Sequence, residues 1–400
     1  MSNQPTILQL PFLRKSIALL CWLCLFFNPV EAQYNVQFLI KSQPALHADD
    51  TIYLADNINQ WNPASKASQF VKDGKHHVLQ IKNLPKHLYQ FKLTRGTWNK
   101  VESTAAGAVL ANRQLNVESD TIIELDIAAW EDDFTKFEKK HTTSPNVTLM
   151  DTAFAMPQLG RSRKIWLYLP DGYAGNKKKK YPVLYIQDGQ NLFDDLSAAY
   201  GEWGIDECID SIIRNGKQGC IVVGIENSIQ RMTEYNPDDN ERFGKGEGRK
   251  YVEFIAKTLK PFIDSHYRTL PGKDNTIIAG SSIGGLISLY AMLQYPDVFG
   301  KAGIFSPAIW VANSIDSLAD AVAGKLSGKL FLYTGGQEGE TTLNNVIRIQ
   351  EKIGKKSSAM IYSIIDKDGI HNEAAWRKWF PVFYKWIMAD GWNTITNKGD

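Results

Sequence analysis

Residues 276–294 read TIIAGSSIGGLISLYAMLQ. A hydroxyl set between glycines, behind a β-branched run and ahead of an apolar one, is the setting of a serine nucleophile. Gly280-Ser281-Ser282-Ile283-Gly284 fits G-x-S-x-G only with Ser282 at its centre, because centring on Ser281 would need glycine where Ala279 and Ile283 stand. The spacing has a steric cause. On a strand-to-helix elbow the serine occupies a strained backbone conformation, and the chain doubles back so tightly that the flanking positions must lack bulk. TIIAG predicts the strand and IGGLISLYAMLQ the helix, whose amino end adds partial positive charge beside the hydroxyl.

A serine hydroxyl needs a base within hydrogen-bond reach, and a nucleophile on such an elbow draws it from later in the chain. Of seven histidines only His371 follows Ser282, in the stretch DKDGIHNEAAW between a strand-like and a helix-like run. The acid that orients it should follow a strand between the two. KLFLYT is that strand and GGQEGE the loop after it, so Glu338 and Glu340 are both candidates, with Glu338 nearer the strand end. Asp366 and Asp368 precede His371 too closely to fold back onto it. A tetrahedral intermediate also needs oxyanion donors. One is the backbone N–H of Ile283. The second is that of Gln190, in the loop Asp188-Gly189-Gln190-Asn191 after VLYIQ, a stretch that also reads as an ordinary Asp-Gly turn.

These residues need elements to hold them. From 146 to 400, IWLYL, VLYIQ, CIVVGI, TIIAG, AGIFS, KLFLYT and AMIYSII alternate with longer amphipathic segments such as YVEFIAKTLKPFIDSHY and EAAWRKWFPVFYKWIM. That alternation predicts an α/β fold with a mainly parallel sheet covered on both faces, and its sites at the carboxyl ends of the strands. Residues 33–130 read differently. YNVQFLIK, DTIYLAD, HHVLQIKNL, YQFKLTRG and TIIELDIA are short strand-like runs separated by turns, which predicts an all-β sandwich. Residues 131–145, EDDFTKFEKKHTTSP, are polar without periodicity and read as a linker.

The first 32 residues look like an export signal: Arg14 and Lys15, then SIALLCWLCLFF, then a small-residue site before Gln33. The apolar run is too short to span a bilayer. An exported, periplasmic or secreted protein is expected, with Cys208 and Cys220 left either to pair or to stay as two buried thiols. The formal net charge of +2 gives no electrostatic case for nucleic acid or acidic lipid. Neither HExxH nor a zinc-spaced Cys/His cluster appears after the signal, so no metal or other cofactor is called for.

The stretches YPVLYIQDGQNLFD, IVVGIENSIQRMTEYNP, YRTLPGKDNTIIAGSSIGGLISLYAMLQYPDVFGKAGIFSPAIW and DGIHNEAAWRKWFPVFYKWI together resemble the Putative esterase family, the esterase D-like branch of the α/β-hydrolases, across residues 146–390. The resemblance implies a Ser282–Glu338–His371 triad, since the Gly-x-x-acid loop of the family falls on Gly335-Gly336-Gln337-Glu338, and an oxyanion loop at Asp188-Gly189-Gln190. It also implies substrate contacts from Asp188, Arg231, Glu234 and Tyr235, and Trp310, just after a strand end, is expected to wall the same pocket. The front domain is similar to starch-binding-type, Ig-like carbohydrate-binding modules through IYLADNINQWNP, YQFKLTRGTWNKVE and NRQLNV. Trp61 and Trp98 match recurrent tryptophans there, and Asn112-Arg113 a frequent pair. GAVLA stands where another platform tryptophan is usual, so Trp61 reads equally as core.

The expectation is an exported serine esterase whose substrate is a small-molecule or carbohydrate ester, such as an acyl or feruloyl ester on polysaccharide. The alternatives are a siderophore or other small-molecule esterase, an acyltransferase using the same triad, and a carbohydrate-binding protein without turnover.

Overall fold

The computed structural model describes residues 32–59, 61–108, 110, 112–134, 139–240 and 243–389. The expected export signal, through residue 31, lies outside them. The chain divides between Asp133 and Phe134 into two compact units.

The first unit holds strands β1 (Gln33–Ser42), β2 (Tyr53–Asp56), β3 (Val71–Asp73), β4 (His76–Pro85), β5 (His87–Thr94), β6 (Glu102–Ser103), β7 (Arg113–Val117), β8 (Thr121–Asp126) and β9 (Ala129–Trp130). They form a four-stranded sheet β3-β4-β1-β8, a three-stranded sheet β2-β5-β7 and a short β6-β9 pair. Alternate residues turn inward, as a half-buried strand requires. Val36, Phe38 and Ile40 of β1 meet Tyr89, Phe91 and Leu93 of β5 in one core, with the Phe38 and Phe91 rings 5.3 Å apart. Buried Arg95 lies 5.0 Å from the Trp130 ring and pairs with Asp50 and Asp132.

The second unit is an eight-stranded sheet in the order β10-β11-β13-β12-β14-β15-β16-β17. Its strands are β10 (Val147–Met156), β11 (Arg161–Tyr168), β12 (Val183–Gln187), β13 (Ile221–Ile225), β14 (Thr276–Ser281), β15 (Lys301–Phe305), β16 (Lys329–Gly335) and β17 (Met360–Asp366). From β13 through β17 neighbours run parallel, whereas β10 and β11 are antiparallel additions at one edge. Strands β12, β13, β14 and β16 are buried at every residue, which is why they read as continuous apolar runs.

The helices are α1 (Ile205–Arg214), α2 (Arg231–Glu234), α3 (Gly248–Phe254), α4 (Lys260–His266), α5 (Ile283–Gln294), α6 (Ser314–Val322), α7 (Glu340–Lys356) and α8 (Glu373–Met388). A π turn over Ile255–Leu259 joins α3 to α4 just before Pro261, whose missing N–H breaks the regular ladder. Two apolar cores line the two faces of the sheet. Helix α5 is buried at nearly every residue and so shows little amphipathic period. No described helix is long and apolar enough to cross a membrane.

The described ends of the segment read as a linker belong one to each unit. Glu131–Asp133 form a turn of the first unit, where His47 Nε2 lies 2.5 Å from Asp133 Oδ1. Residues 139–146 are strapped onto the acidic start of α1 and the loop before it. His141 Nδ1 lies 2.8 Å from Asp194, Thr142 Oγ1 donates to Glu202 (2.9 Å), Ser144 N–H to Asp206 (2.7 Å) and Asn146 Nδ2 to Asp210 (3.0 Å). Polar residues without periodicity here are partners for buried carboxylates. Burial raises the Glu202 and Asp206 carboxyls, and burial together with Asp206 pushes Glu207 up to about 7.

Cys208 and Cys220 are free thiols, each pushed up to about 12 by burial. Such thiols stay protonated and unreactive at neutral pH.

Candidate active site

Strand β12 has β13 on one side and β14 on the other, so the order of connection reverses beside it, and a crevice opens there at the carboxyl ends. Ser282 stands at the end of β14 with φ 57° and ψ −125°. Few residues other than glycine hold a positive φ, and surrounding structure must impose it. The Ser282 N–H donates to Phe305 O (2.9 Å), and its carbonyl accepts from the N–H groups of Ala308 and Leu286 (3.0 Å each). The glycines explain themselves by space. A Cβ on Gly280 would lie 2.5 Å from the Gly284 carbonyl oxygen, and one on Gly285 would lie 2.9 Å from the Phe305 oxygen. Ser281 is the last residue of β14 and is buried, whereas Ser282 is half-buried.

Adjacent strands deliver the partners. Glu338 follows β16 and is buried; His371 follows β17, with its Nδ1 2.8 Å from Glu338 Oε2. The other carboxylate oxygen accepts from Ser306 Oγ (2.6 Å) and Gly335 N–H (2.7 Å). Glu340 instead opens α7, exposed. Asp366 is engaged by Lys378 Nζ (2.8 Å) and Trp379 Nε1 (2.7 Å). Among the described contacts Ser282 Oγ and His371 share no hydrogen bond. Such pairs are often looser before substrate binds.

The two N–H groups expected to serve the oxyanion lie on adjoining segments. The first intrahelical bond of α5 is Leu286 N–H to Ser282 O, so the Ile283 N–H is one of the groups a helix start leaves without an internal acceptor. Gly189–Asn191 form a single 3₁₀ turn closed by Asn191 N–H to Asp188 O, and the Gln190 N–H precedes that bond. The turn lies against the start of α5: a Cβ on Gly284 would be 3.0 Å from Asp188 Oδ2, and one on Gly189 would be 2.8 Å from Gly224 of β13. Gln190 is tied on two sides, its Oε1 accepting from Asn227 N–H (3.1 Å) and its carbonyl from Ser197 Oγ (2.7 Å).

The five residues expected to contact substrate divide. Asp188 is buried and spends both oxygens internally, on Arg231 Nε (2.7 Å), Arg231 Nη2 (2.8 Å) and Asn227 Nδ2 (2.6 Å). Glu234 is fully buried, and Arg163 and Arg161 neutralise it at 2.6 and 2.9 Å. Tyr235 is also fully buried, its ring 4.9 Å from Tyr251 and beneath the Arg231 guanidinium at 5.4 Å. These three therefore brace the loop and do not line its surface: a buried charge must be paired, and here the pairs lie inward. Arg231 and Trp310 are partly exposed, the latter packed on Phe243 at 6.1 Å.

Three neighbours were not singled out from the sequence. Ser306 is buried at φ 44° after β15, and Trp376 Nε1 donates to its Oγ (2.9 Å). Glu373, the first residue of α8, is buried and pushed up to about 7, chiefly by burial and further by Asp188, with His371 and Arg231 opposing. Position three residues before Trp376 and two after His371 was the only hint for Glu373. In the first unit the half-exposed Trp61 and Trp98 rings face each other at 6.5 Å, tilted 38°. Arg113 is spent on Glu102 (2.9 Å) and the Asp126 carbonyl (2.8 Å), and Asn112 on Gln90 (3.2 Å).

Comparison with known proteins adds independent findings. The model of the Esterase family, described as "Putative esterase", matches residues 156–387. The chain is 26% identical over 258 residues to the uncharacterized protein YbbA of Bacillus subtilis, covering 58% of this chain and 96% of that one. It is 24% identical over 259 residues to an endo-1,4-beta-xylanase/feruloyl esterase of Xylanibacter ruminicola, covering 64% of this chain and 33% of that protein. It is 29% identical over 155 residues to an iron(III) salmochelin esterase of Escherichia coli, covering 38% of this chain and 33% of that protein. Among solved structures the BES protein from Bacillus cereus superposes with a TM-score of 0.52 at 19% identity, over 64% of this chain and 100% of that chain, a likeness of fold. With its family model spanning more than half of its length, this chain belongs to the Esterase family and is a carboxylic ester hydrolase.

Proposed function

We propose that the protein is an exported serine esterase acting through Ser282, His371 and Glu338. Ser282 Oγ attacks the ester carbonyl carbon while His371 Nε2 takes the hydroxyl proton. The oxyanion that forms receives the Ile283 and Gln190 N–H groups. His371 then gives its proton to the departing alkoxide, leaving an acyl-enzyme and a free alcohol. Water attacks the acyl carbon with His371 as base, and the acid departs as Ser282 recovers its proton. Glu338 holds the imidazole tautomer and stabilises the imidazolium.

The observation that carries this reading is the left-handed Ser282 at the head of α5, on the same sheet edge as the 2.8 Å His371–Glu338 pair. The substrate class favoured is an acyl or feruloyl ester of a carbohydrate. Two half-exposed tryptophans on a separate β unit, the reading of that unit as an Ig-like carbohydrate-binding module, and a feruloyl esterase among the relatives support it. A catecholate siderophore ester is the other arm, supported by the salmochelin esterase relative.

The test is mass-spectrometric mapping of a fluorophosphonate adduct, followed by rates on acetyl, feruloyl and catecholate esters. An adduct on Ser282 and fastest turnover of feruloyl or acetyl sugar esters are expected. An adduct elsewhere, or none, overturns the mechanism; preference for catecholate esters overturns the substrate class alone.

A further inference from the structure

We infer that Ser306 and Trp376 are positioning residues for the acid–base pair, an inference that rests on reading Glu338 and His371 as that pair. An indole N–H can only donate. At 2.9 Å it therefore occupies Ser306 Oγ as acceptor, and the single serine hydrogen is left to point at Glu338 Oε1, 2.6 Å away. Gly335 N–H adds a second donor to the same oxygen at 2.7 Å. Oε1 is thus fixed from two directions, and the carboxylate turns Oε2 to His371 Nδ1. The direction of the serine proton follows from the indole N–H.

The same indole touches the base. Its ring stands edge-on to the His371 imidazole, with centroids 5.2 Å apart and planes at 85°, and Trp203 backs it at 5.8 Å. One side chain limits the tilt of the imidazole and, through Ser306, the plane of the carboxylate. Ser306 holds φ 44° with its N–H bonded to Tyr333 O at 2.7 Å. A strained backbone at a buried hydroxyl fits a residue kept in place for its hydrogen bonds. Core packing alone would ask nothing of the indole nitrogen or the serine oxygen.

The test uses the full chain and p-nitrophenyl acetate across pH 5–9. Ser306→Ala removes the hydroxyl. Ser306→Gly does the same while suiting the positive φ, which keeps a folded variant in hand. Trp376→Phe keeps a ring but loses the N–H, and the Ser306→Ala/Trp376→Phe double completes a cycle. Both Ser306 variants are expected to lower kcat by about 10–100-fold with KM within about twofold, the usual cost of removing an outer partner. The acid limb of kcat/KM moves to higher pH, because a carboxylate with fewer donors holds the imidazolium more tightly. Trp376→Phe loses less, about 3–10-fold, and the double variant is no worse than Ser306→Ala, since the indole N–H acts through Ser306. Loss of thermal stability with a wild-type pH profile, or additive losses in the cycle, overturns the inference. Absence of a fluorophosphonate adduct on wild-type Ser282 overturns the triad reading beneath it.

Discussion

Arg231 meets Asp188 as a fork, Nε 2.7 Å from Oδ1 and Nη2 2.8 Å from Oδ2. The carboxylate sits on a left-handed residue, φ 59°, at the start of the turn that carries Gln190. One ion pair thus fixes the turn that abuts the head of α5.

Breaking that fork costs stability. Asp188→Ala leaves the guanidinium uncompensated, and a loss of about 1–3 kcal/mol is expected, below the roughly 3–5 kcal/mol of a wholly buried pair because Arg231 keeps some water. Arg231→Lys keeps the charge but loses the second bond and costs less. Urea unfolding of the two variants checks the order, and equal midpoints for Asp188→Ala and wild type would refute the bracing role.

The frame of the nucleophile is tested by neighbouring alanines. Ser282→Ala is expected to lower kcat by about 10⁶-fold while circular dichroism stays unchanged. Ser281→Ala, at a buried strand residue, keeps activity within about threefold. Steady-state rates on p-nitrophenyl acetate decide between them, and the reverse pattern would move the nucleophile.

Glycine substitutions separate space from conformation. Gly280→Ala forces a Cβ to 2.5 Å from a carbonyl oxygen and should prevent stable folding. Gly354→Ala, inside α7 with its nearest neighbour at 3.7 Å, should stabilise by about 0.5–1 kcal/mol. Thermal melts of the pair give the contrast.

Glu373 gives the protein a pH-dependent stability. Its carboxyl rises from 4.5 in the open chain to about 7 in the fold, so the folded state binds the proton more tightly. That contribution is complete below pH 4.5 and is lost as pH rises through about 7, on the order of 3 kcal/mol at most. Glu373→Gln should melt at the wild-type temperature near pH 4.5 and several degrees higher at pH 8. Glu207, which titrates in the same window, is present in both proteins and cancels from the difference. Identical melts at pH 8 would rule the contribution out.

What could be read from the sequence follows the range of the forces involved. The Ser282 frame was legible because its constraint is steric and local: Gly280 and Gly284 face each other within five residues. Chain order singled out His371 and the loop after KLFLYT two glutamates to partner it, of which the fold brings Glu338 to the imidazole. Strands β12, β13, β14 and β16 announced themselves by burial on both faces. Strand β10 did not, since of its ten residues only Phe154 and Met156 are buried at the sheet edge. Arg231 to Tyr235 could be placed after β13, but whether each faced the crevice or the core depended on Arg163, Arg161 and Tyr251, which lie far along the chain. Ser306 and Trp376, 70 positions apart, meet only through the fold.

The strap at 139–146 decides where the hydrolytic half can be excised for transplantation. A clone begun at Val147 would take the His141, Ser144 and Asn146 partners from Asp194, Asp206 and Asp210, whereas one begun at Phe134 carries those partners along. Fusions that swap the front module should therefore join upstream of Lys139, treating the polar octapeptide as cargo of the enzyme.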